Sequence, residues 1–371
     1  MNRRAEIVGA GFAGLVVATA LAQRGWAVQV HERAAELRAF GAGIFIWENG
    51  LRVLEAVGAR EAAVSRAHEA PQYRLRGPDN EDEGAEVFGS ALGTRMVTMT
   101  RQSLHSAILA AALASGVRPR LNSHVVAAEA GGTIRTADGQ SFSADLVVGA
   151  DGVNSNVRDS LGLLDRRMKE PWGAIRLLVP RKPGDDDCVV TYRSRSPRRT
   201  LYVPCDDQSL YLCFTTTSED QAGQRLPFDH QEWGGAFPHL RPLFDRIEGQ
   251  GRWDLYETIA VRSWRKGCVA IIGDAAHGMT PSLGQGAGCA MMNGLSLAEF
   301  VQADADIASA LQAWEQAERP LTEHTQLYAQ ALTRETMRVK ASNGTKWTDD
   351  ALRAARHHPR GAPRIDARTI S

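Results

Sequence analysis

A glycine-rich turn between a short apolar strand and an Ala/Leu-rich helix constrains this chain more than any other feature. Gly9, Gly11 and Gly14 stand at the spacing of a dinucleotide-binding fingerprint. Gly9 makes the tight turn, Gly11 lets the backbone approach a pyrophosphate, and Gly14 lets helix and strand pack closely. The helix start directs unpaired N–H groups at phosphates, and Glu32 ends the second strand, where a carboxylate accepts hydrogen bonds from a ribose. The unit predicts that an ADP-containing cofactor binds at this loop.

Length and charge restrict the class of protein. A chain of 371 residues predicts two domains rather than one core. Lys+Arg and Asp+Glu both number 43, so the formal net charge is zero, and we expect neither nucleic acid nor a membrane surface as a partner. No apolar run reaches the about 18 residues that a spanning helix needs.

Targeting and redox signals favour the cytoplasm. Residues 1–20 resemble a signal peptide, but its cleavage would remove the fingerprint, so we expect this segment to belong to the fold. The 5 cysteines are scattered and form no Cys-x-x-Cys pair, which predicts reduced thiols and no bound metal.

The pattern of segments predicts an α/β fold with three parts. Short alternating segments between Trp172 and Tyr256 predict an antiparallel sheet, and helical periodicity covers Ile307 to Gln330. We predict a Rossmann-like nucleotide-binding domain (1–72, 98–171 and 257–300), an inserted substrate domain (73–97 and 172–256), and C-terminal helices with a tail (301–371). We expect the acidic run 79–83 to be a solvated loop and the basic tail from Asn343 to pack loosely.

Two further motifs follow strands. Asp151-Gly152 ends one buried strand, and Gly273-Asp274 ends another. An aspartate at a strand end can accept hydrogen bonds from sugar or ribityl hydroxyls. The glycine-rich stretch 284–288 precedes a helix, whose N–H groups can stabilise an anionic ring oxygen such as that of reduced flavin.

With these three motifs in this order, the sequence resembles the flavoprotein aromatic hydroxylases of the p-hydroxybenzoate hydroxylase type. The resemblance spans about residues 4–340 and implies resident FAD, with NADH or NADPH as a transient co-substrate. It implies that Asp274 binds the ribityl chain, Val125 lies by the adenine and Pro281 lies near the flavin ring. The implied cofactor-binding residues are Gly9, Gly11, Phe12, Ala13, Gly14, Glu32, Arg33, Arg38, Arg101, Val125, Asp151, Asp274, Gly286, Ala287 and Gly288.

Within that family, the chain resembles members that oxygenate hydroxypyridine carboxylates and open the ring. The segments 37–44, 49–55, 175–177 and 285–291 carry this similarity. It implies four substrate-pocket residues, Tyr73, Arg176, Arg199 and Tyr211. Arginine binds a carboxylate through charge-assisted hydrogen bonds, and tyrosine bonds a ring hydroxyl and flanks the ring.

The resemblance therefore implies an oxygenase of a hydroxypyridine carboxylate, such as 5-hydroxynicotinate, that acts through a C4a-hydroperoxyflavin and opens the ring. Two alternatives stay open. One is an aromatic hydroxylase of the salicylate or hydroxynicotinate type that keeps the ring intact. The other is a flavin-binding redox or regulatory protein without an aromatic substrate. Product mass separates them, because ring opening adds two oxygens and two hydrogens whereas hydroxylation adds one oxygen.

Overall fold

The computed structural model describes residues 3–37, 42–89, 94–249, 251–337 and 347–363. The strands, in chain order, are β1 (Arg4–Val8), β2 (Ala27–His31), β3 (Gly43–Trp47), β4 (Tyr73–Arg76), β5 (Asp82–Glu86), β6 (Met96–Thr100), β7 (Val125–Glu129), β8 (Thr133–Thr136), β9 (Ser141–Ser143), β10 (Leu146–Gly149), β11 (Leu164–Pro180), β12 (Val189–Arg193), β13 (Arg199–Pro204), β14 (Ser209–Thr217), β15 (Trp253–Val261), β16 (Arg265–Lys266) and β17 (Val269–Ile271).

The α-helices, in chain order, are α1 (Phe12–Gln23), α2 (Glu48–Ala56), α3 (Arg60–Val64), α4 (Arg101–Ala114), α5 (Asn156–Ser160), α6 (His230–Ala236), α7 (Arg241–Phe244), α8 (Asp274–His277), α9 (Gly286–Ala303), α10 (Ile307–Thr336) and α11 (Arg353–Arg356). Short 3₁₀ turns cover Pro238–Leu240 and Pro281–Leu283. In the described residues, no helix combines the length and the apolar character needed to cross a membrane.

The first sheet is the nucleotide-binding one. Its strand order is β16-β17-β10-β1-β2, and β1, β2, β10 and β17 run parallel while β16 is an antiparallel edge. Helices α1 and α9 pack against each other, and α1 is buried over most of its length, because it lies between the sheet and its neighbouring helices. This is the predicted Rossmann-like domain.

The glycine turn between β1 and α1 has two different steric demands. Gly9 has φ +104°, and a Cβ there would lie 2.3 Å from the carbonyl oxygen of Ala150. A Cβ on Gly14 would lie 1.9 Å from the Gly9 carbonyl oxygen. A Cβ on Gly11 would meet no protein atom within 4 Å. Gly9 and Gly14 are therefore required by the fold, whereas at Gly11 the chain itself tolerates a side chain.

The second sheet is the predicted inserted one. Its order is β15-β11-β14-β13-β12-β4-β5, with antiparallel pairs except for the parallel pair β12–β4. Side chains alternate between its faces. One face packs on α6 and α7 through an aromatic core that includes Phe214, Trp233 and Phe244. The residues between those core positions, including Arg176, Arg199 and Tyr211, point to the opposite face.

The structure departs from the sequence-based expectations in two segments. Part of the acidic run departs from the expected solvated loop: Asp82 and Glu83 belong to β5, and Glu83 makes an ion pair with Arg193 of β12, whereas residues 79–81 lie in the exposed turn between β4 and β5. The described part of the tail is packed rather than loose, since Leu352, Ala354 and Ala355 are buried. The proposed domain boundaries stay predictions, and β11 and β15 each run across one of them.

Gly11 and Gly14 provide a matched pair of substitutions. Gly14→Ala should destabilise the protein by several kcal/mol, because the new Cβ overlaps backbone. Gly11→Ala should leave the thermal unfolding of the cofactor-free protein unchanged, since its φ of −76° and its open surroundings accept alanine. Gly11→Ala should nevertheless weaken FAD retention, measured as bound flavin per protein after desalting. Normal retention in Gly11→Ala would contradict close approach of a cofactor at this loop.

A buried histidine predicts acid sensitivity. His277, at the end of α8, is 2% exposed and its Nε2 lies 3.1 Å from Asn293 Nδ2. Burial lowers the pKa of His277 from 6.5 to about 4. Between pH 6.5 and about pH 4, the unfolded chain binds a proton at His277 that the folded chain does not bind. The free energy of unfolding therefore falls as the pH falls through this window.

The contribution of His277 can be isolated by difference. We expect the free energy of unfolding to drop by about 2 kcal/mol more in the wild type than in His277→Gln between pH 7.5 and pH 5. Urea titrations of both proteins at the two pH values measure it. Parallel changes in the two proteins would show that His277 is protonated as easily when folded as when unfolded.

Candidate active site

One cavity of about 1680 Å³ lies between the nucleotide-binding sheet, the inserted sheet and the start of α9. Both groups of sequence-predicted site residues contribute to its walls. The predicted residues that line it are Gly11, Phe12, Ala13, Glu32, Arg33, Arg101, Asp274, Pro281, Gly286, Ala287, Tyr73, Arg176, Arg199 and Tyr211. Residues from three separated turns and from the inserted sheet therefore share a single space.

Other predicted residues lie outside the cavity walls. Gly9 and Gly14 pack behind the turn, and Gly288 is buried in the first turn of α9. Val125 is buried in β7. The Asp151 carboxylate accepts hydrogen bonds from Ser155 Oγ and from the Val157 N–H, so it holds the start of α5. Arg38 lies outside the described residues. The individual roles of all these residues stay predictions.

Glu32 holds the glycine turn in shape. One carboxylate oxygen accepts a hydrogen bond from the Ala10 N–H at 2.9 Å, and the other accepts from the Ala34 N–H at 2.9 Å. The carboxylate follows β2, which pairs in parallel with β1, so the sheet places it beside the turn. Because each oxygen has a second lone pair, Glu32 can still accept from a ribose hydroxyl.

Opposite charges face the middle of the cavity. Asp274 is the first residue of α8 and follows Gly273, whose φ is +62°. Burial raises the pKa of Asp274, and attraction to Arg101 opposes this shift. Burial lowers the pKa of Arg101, whose guanidinium lies 4.9 Å from the Phe12 ring centroid. An acceptor for hydroxyls and a cation for phosphates thus flank the same space.

The loop before α9 presents backbone donors to the cavity. Pro281 begins a 3₁₀ turn, Gly284 ends it in the left-handed region at φ +60°, and α9 starts at Gly286. Gly286 and Ala287 line the cavity, and the first N–H groups of a helix have no partner within the helix. The positive end of α9 therefore points at any negatively charged ring placed there.

At the inserted sheet, Arg199 is a cation that lines the cavity. Burial lowers the pKa of Arg199 to about 10, so it stays charged at neutral pH. No carboxylate in the described part of the chain forms an ion pair with it, because nearby Glu83 pairs with Arg193. Beside it, the Tyr73 hydroxyl lies 2.7 Å from Thr191 Oγ1, and burial raises the pKa of Tyr73. Both groups can donate to an acceptor in the cavity.

A second polar cluster surrounds Arg176. Its guanidinium lies 3.4 Å from Asp254 and 5.6 Å from the Tyr256 ring centroid. Burial raises the pKa of Tyr211 well above its ordinary value, so Tyr211 stays a neutral phenol. A Cβ on Gly43 would lie 2.6 Å from the Tyr211 ring, so only glycine lets β3 approach this closely.

Sequence reasoning missed several cavity residues. Tyr256 lines the cavity from β15, its hydroxyl lies 3.1 Å from Thr215 Oγ1, and burial raises its pKa. Thr191 supports Tyr73, and Trp347 reaches the cavity from the tail. Alternation along β15 could have indicated Tyr256, because residues two apart on a strand point to the same face and Asp254 also lines the cavity. No local signal marks Trp347.

The residues present fit FAD. The open position above Gly11, the carboxylates of Glu32 and Asp274, the Arg101 cation and the start of α9 match, in order, the polar groups of a flavin dinucleotide. We infer that the nucleotide part of FAD lies at the glycine turn and that the flavin ring lies at the 281–287 loop.

Known proteins share this architecture. Residues 4–348 match the family model described as FAD binding domain. A 2-heptyl-3-hydroxy-4(1H)-quinolone synthase of Mycobacteroides abscessus is 42% identical over 328 residues, which cover 87% of this chain and 88% of that protein. The 6-hydroxynicotinate 3-monooxygenase of Pseudomonas fluorescens is 28% identical over 322 residues, which cover 81% of this chain and 82% of that protein.

A solved structure is equally similar. The crystal structure of a 2-methyl-3-hydroxypyridine-5-carboxylic acid oxygenase is 41% identical with a TM-score of 0.92, covering 98% of this chain and 99% of that chain. The chain is thus about equally similar to an enzyme named for a quinolone and to an enzyme named for a pyridine carboxylate. The predicted assignment to a ring-opening oxygenase of a hydroxypyridine carboxylate is therefore wrong, because motifs shared by both enzymes cannot select that substrate.

The family match and the fold confirm the predicted class and cofactor. The chain belongs to the FAD binding domain family, and it is an FAD-dependent aromatic-ring monooxygenase that uses NAD(P)H and O2.

Proposed function

We propose that this enzyme adds one oxygen atom to an aromatic ring and leaves the ring closed. The substrate is a planar aromatic compound that carries an acceptor oxygen, as a ring oxo, hydroxyl or carboxylate group. The observation that carries the proposal is Arg199, a charged and desolvated guanidinium beside Tyr73 in the cavity. The relative named for a 3-hydroxy-4(1H)-quinolone supports a hydroxylated, intact ring system.

The protein contributes binding and orientation. Arg199 and Tyr73 donate hydrogen bonds to the acceptor oxygen, and this contact sets which ring carbon faces the flavin. Tyr211 and Tyr256 stay protonated, so they serve as donors and as ring walls rather than as bases. Bound FAD supplies the electrons taken from NAD(P)H and activates O2. The N–H groups at the start of α9 stabilise negative charge on the flavin ring.

Product mass tests the reaction. FAD-loaded enzyme is incubated under ¹⁸O2 with NADH or NADPH and one of four compounds: 2-heptyl-4(1H)-quinolone, salicylate, 6-hydroxynicotinate or 2-methyl-3-hydroxypyridine-5-carboxylate. We expect a product with one added oxygen atom and a retained aromatic absorbance band. NAD(P)H oxidation that yields only hydrogen peroxide with every compound, or a product with two added oxygens and a lost ring band, contradicts the proposal.

The Arg199 contact predicts a binding defect without loss of cofactor. Arg199→Ala should raise the substrate Kd roughly tenfold to a hundredfold, since a hydrogen bond to a charged group contributes about 1.5–3 kcal/mol. Titration of the flavin absorbance measures the Kd. Arg195→Ala is the matched control, because Arg195 is an exposed arginine that pairs with Asp79 away from the cavity. Equal Kd values in the two variants would remove Arg199 from the substrate site.

A further inference from the structure

The C-terminal strap, residues 347–363, reaches back to the cavity. It begins at Trp347, which lines the cavity, and continues into the short helix α11. Leu352 and Ala355 of the strap are buried in the same apolar cluster as Tyr211 and Tyr256. The strap is far from Arg199 and Tyr211 in sequence, but through Trp347 it lines the same cavity as these two residues.

Trp347 belongs to an aromatic cluster, and within this cluster it contacts rings on both the flavin side and the substrate side of the cavity. Its ring centroid lies 5.3 Å from that of Trp47, 5.7 Å from that of Phe88 and 5.6 Å from that of Tyr73. Trp47 and Phe88 also touch each other, with centroids 5.0 Å apart. Of these rings, Tyr73 and Trp347 line the cavity, while Trp47 and Phe88 pack behind them.

The cluster is fixed at its two flanks. Trp47 Nε1 donates a hydrogen bond to the Leu283 carbonyl at 3.1 Å, which ties the cluster to the loop assigned to the flavin ring. The Tyr73 hydroxyl is held by Thr191 at the substrate side. Trp347 contacts both Trp47 and Tyr73, so its ring connects the part of the cluster bonded to the 281–287 loop with the part on the inserted sheet.

The strap itself is anchored. The Trp347 backbone N–H donates to the Glu86 carboxylate at 3.1 Å, which attaches the start of the strap to β5. Further along, Asp350 accepts from the Tyr328 hydroxyl at 3.3 Å and, through its carbonyl, from His324 Nε2 at 3.1 Å. These contacts attach the start of the strap to the inserted sheet and to α10.

We propose that Trp347 contacts the substrate and determines which ring systems the enzyme accepts. The inference rests on the proposed function. The indole face packs on the aromatic ring that Arg199 and Tyr73 hold by its acceptor oxygen. Aromatic rings at such contacts attract each other beyond the burial of their area. The ring also keeps water from the space between the flavin end and the substrate, where water favours release of hydrogen peroxide over ring hydroxylation.

The test compares Trp347→Ala and Trp347→Phe with Trp172→Ala. Trp172 is a half-buried tryptophan that packs on the same apolar cluster but does not line the cavity. FAD-loaded proteins are titrated with the ligands of the four-compound panel that bind the wild type, and the product formed per NAD(P)H oxidised is measured. Bound flavin per protein checks that the cofactor site is intact.

We expect Trp347→Ala to raise the Kd of the preferred ligand about five- to tenfold, with a smaller rise in Trp347→Phe. The fraction of NAD(P)H that yields product should fall, and bulkier ring systems should gain relative to the preferred one. Trp172→Ala should match the wild type. If Trp347→Ala and Trp172→Ala agree within twofold in Kd, in coupling and in ring preference, the assignment of Trp347 is wrong.

Two outcomes separate this inference from the proposed function. If the wild type binds a panel compound but forms no hydroxylated product, the proposed reaction fails, and the Kd comparison still decides whether Trp347 contacts the ligand. If Trp347→Ala loses flavin, the Kd and coupling of Trp347→Phe decide whether Trp347 contacts the ligand, because phenylalanine keeps an aromatic ring at this position.

Discussion

The antiparallel pair of β11 and β15 connects the two halves of this enzyme. Their pairing extends from Leu164↔Val261 to Ile175↔Trp253, with register shifts between Leu164 and Arg166 and between Lys169 and Gly173. At one end β15 leads through β16 and β17 to Asp274, and at the other the same strands carry Arg176 and Asp254. The distance between the cofactor end and the substrate end of the cavity is therefore set by hydrogen-bonded backbone rather than by a flexible linker.

Charge is distributed unequally along this cavity. At the cofactor end, Arg101 faces Asp274, and each group offsets part of the other's desolvation. At the substrate end, Arg176 pairs with Asp254, whereas Arg199 lies beside the Tyr73 phenol and forms no ion pair with a carboxylate of the described residues. Burying an unpaired charge costs free energy, and such a cost is recovered when an acceptor binds. This difference is the physical reason to place the acceptor oxygen of the substrate at Arg199.

The motifs identify the class of enzyme but not its substrate. The glycine turn and the 281–288 loop lie within the part of the chain that matches the FAD binding domain family, so their pattern identifies the class of enzyme. The candidate residues for contact with the substrate ring lie on strand faces of the inserted sheet and at the start of the C-terminal strap. Similarity near 41% consequently extends to a pyridine carboxylate oxygenase and to a quinolone synthase alike.

The sequence by itself determined the nucleotide-binding turn and the elements around it, because these depend on local rules: positions 9 and 14 accept only glycine, and strand and helix periods repeat along short segments. The resemblance carried by the three motifs implied FAD and the class of enzyme. It also placed Tyr73, Arg176, Arg199 and Tyr211 as candidates. Only the tertiary structure decided that Arg199 forms no ion pair with a carboxylate of the described residues, that Glu83 of the acidic run belongs to β5 and pairs with Arg193, and that Trp347 lines the cavity. Those properties arise from contacts between segments distant in sequence, and no local pattern records which segments meet.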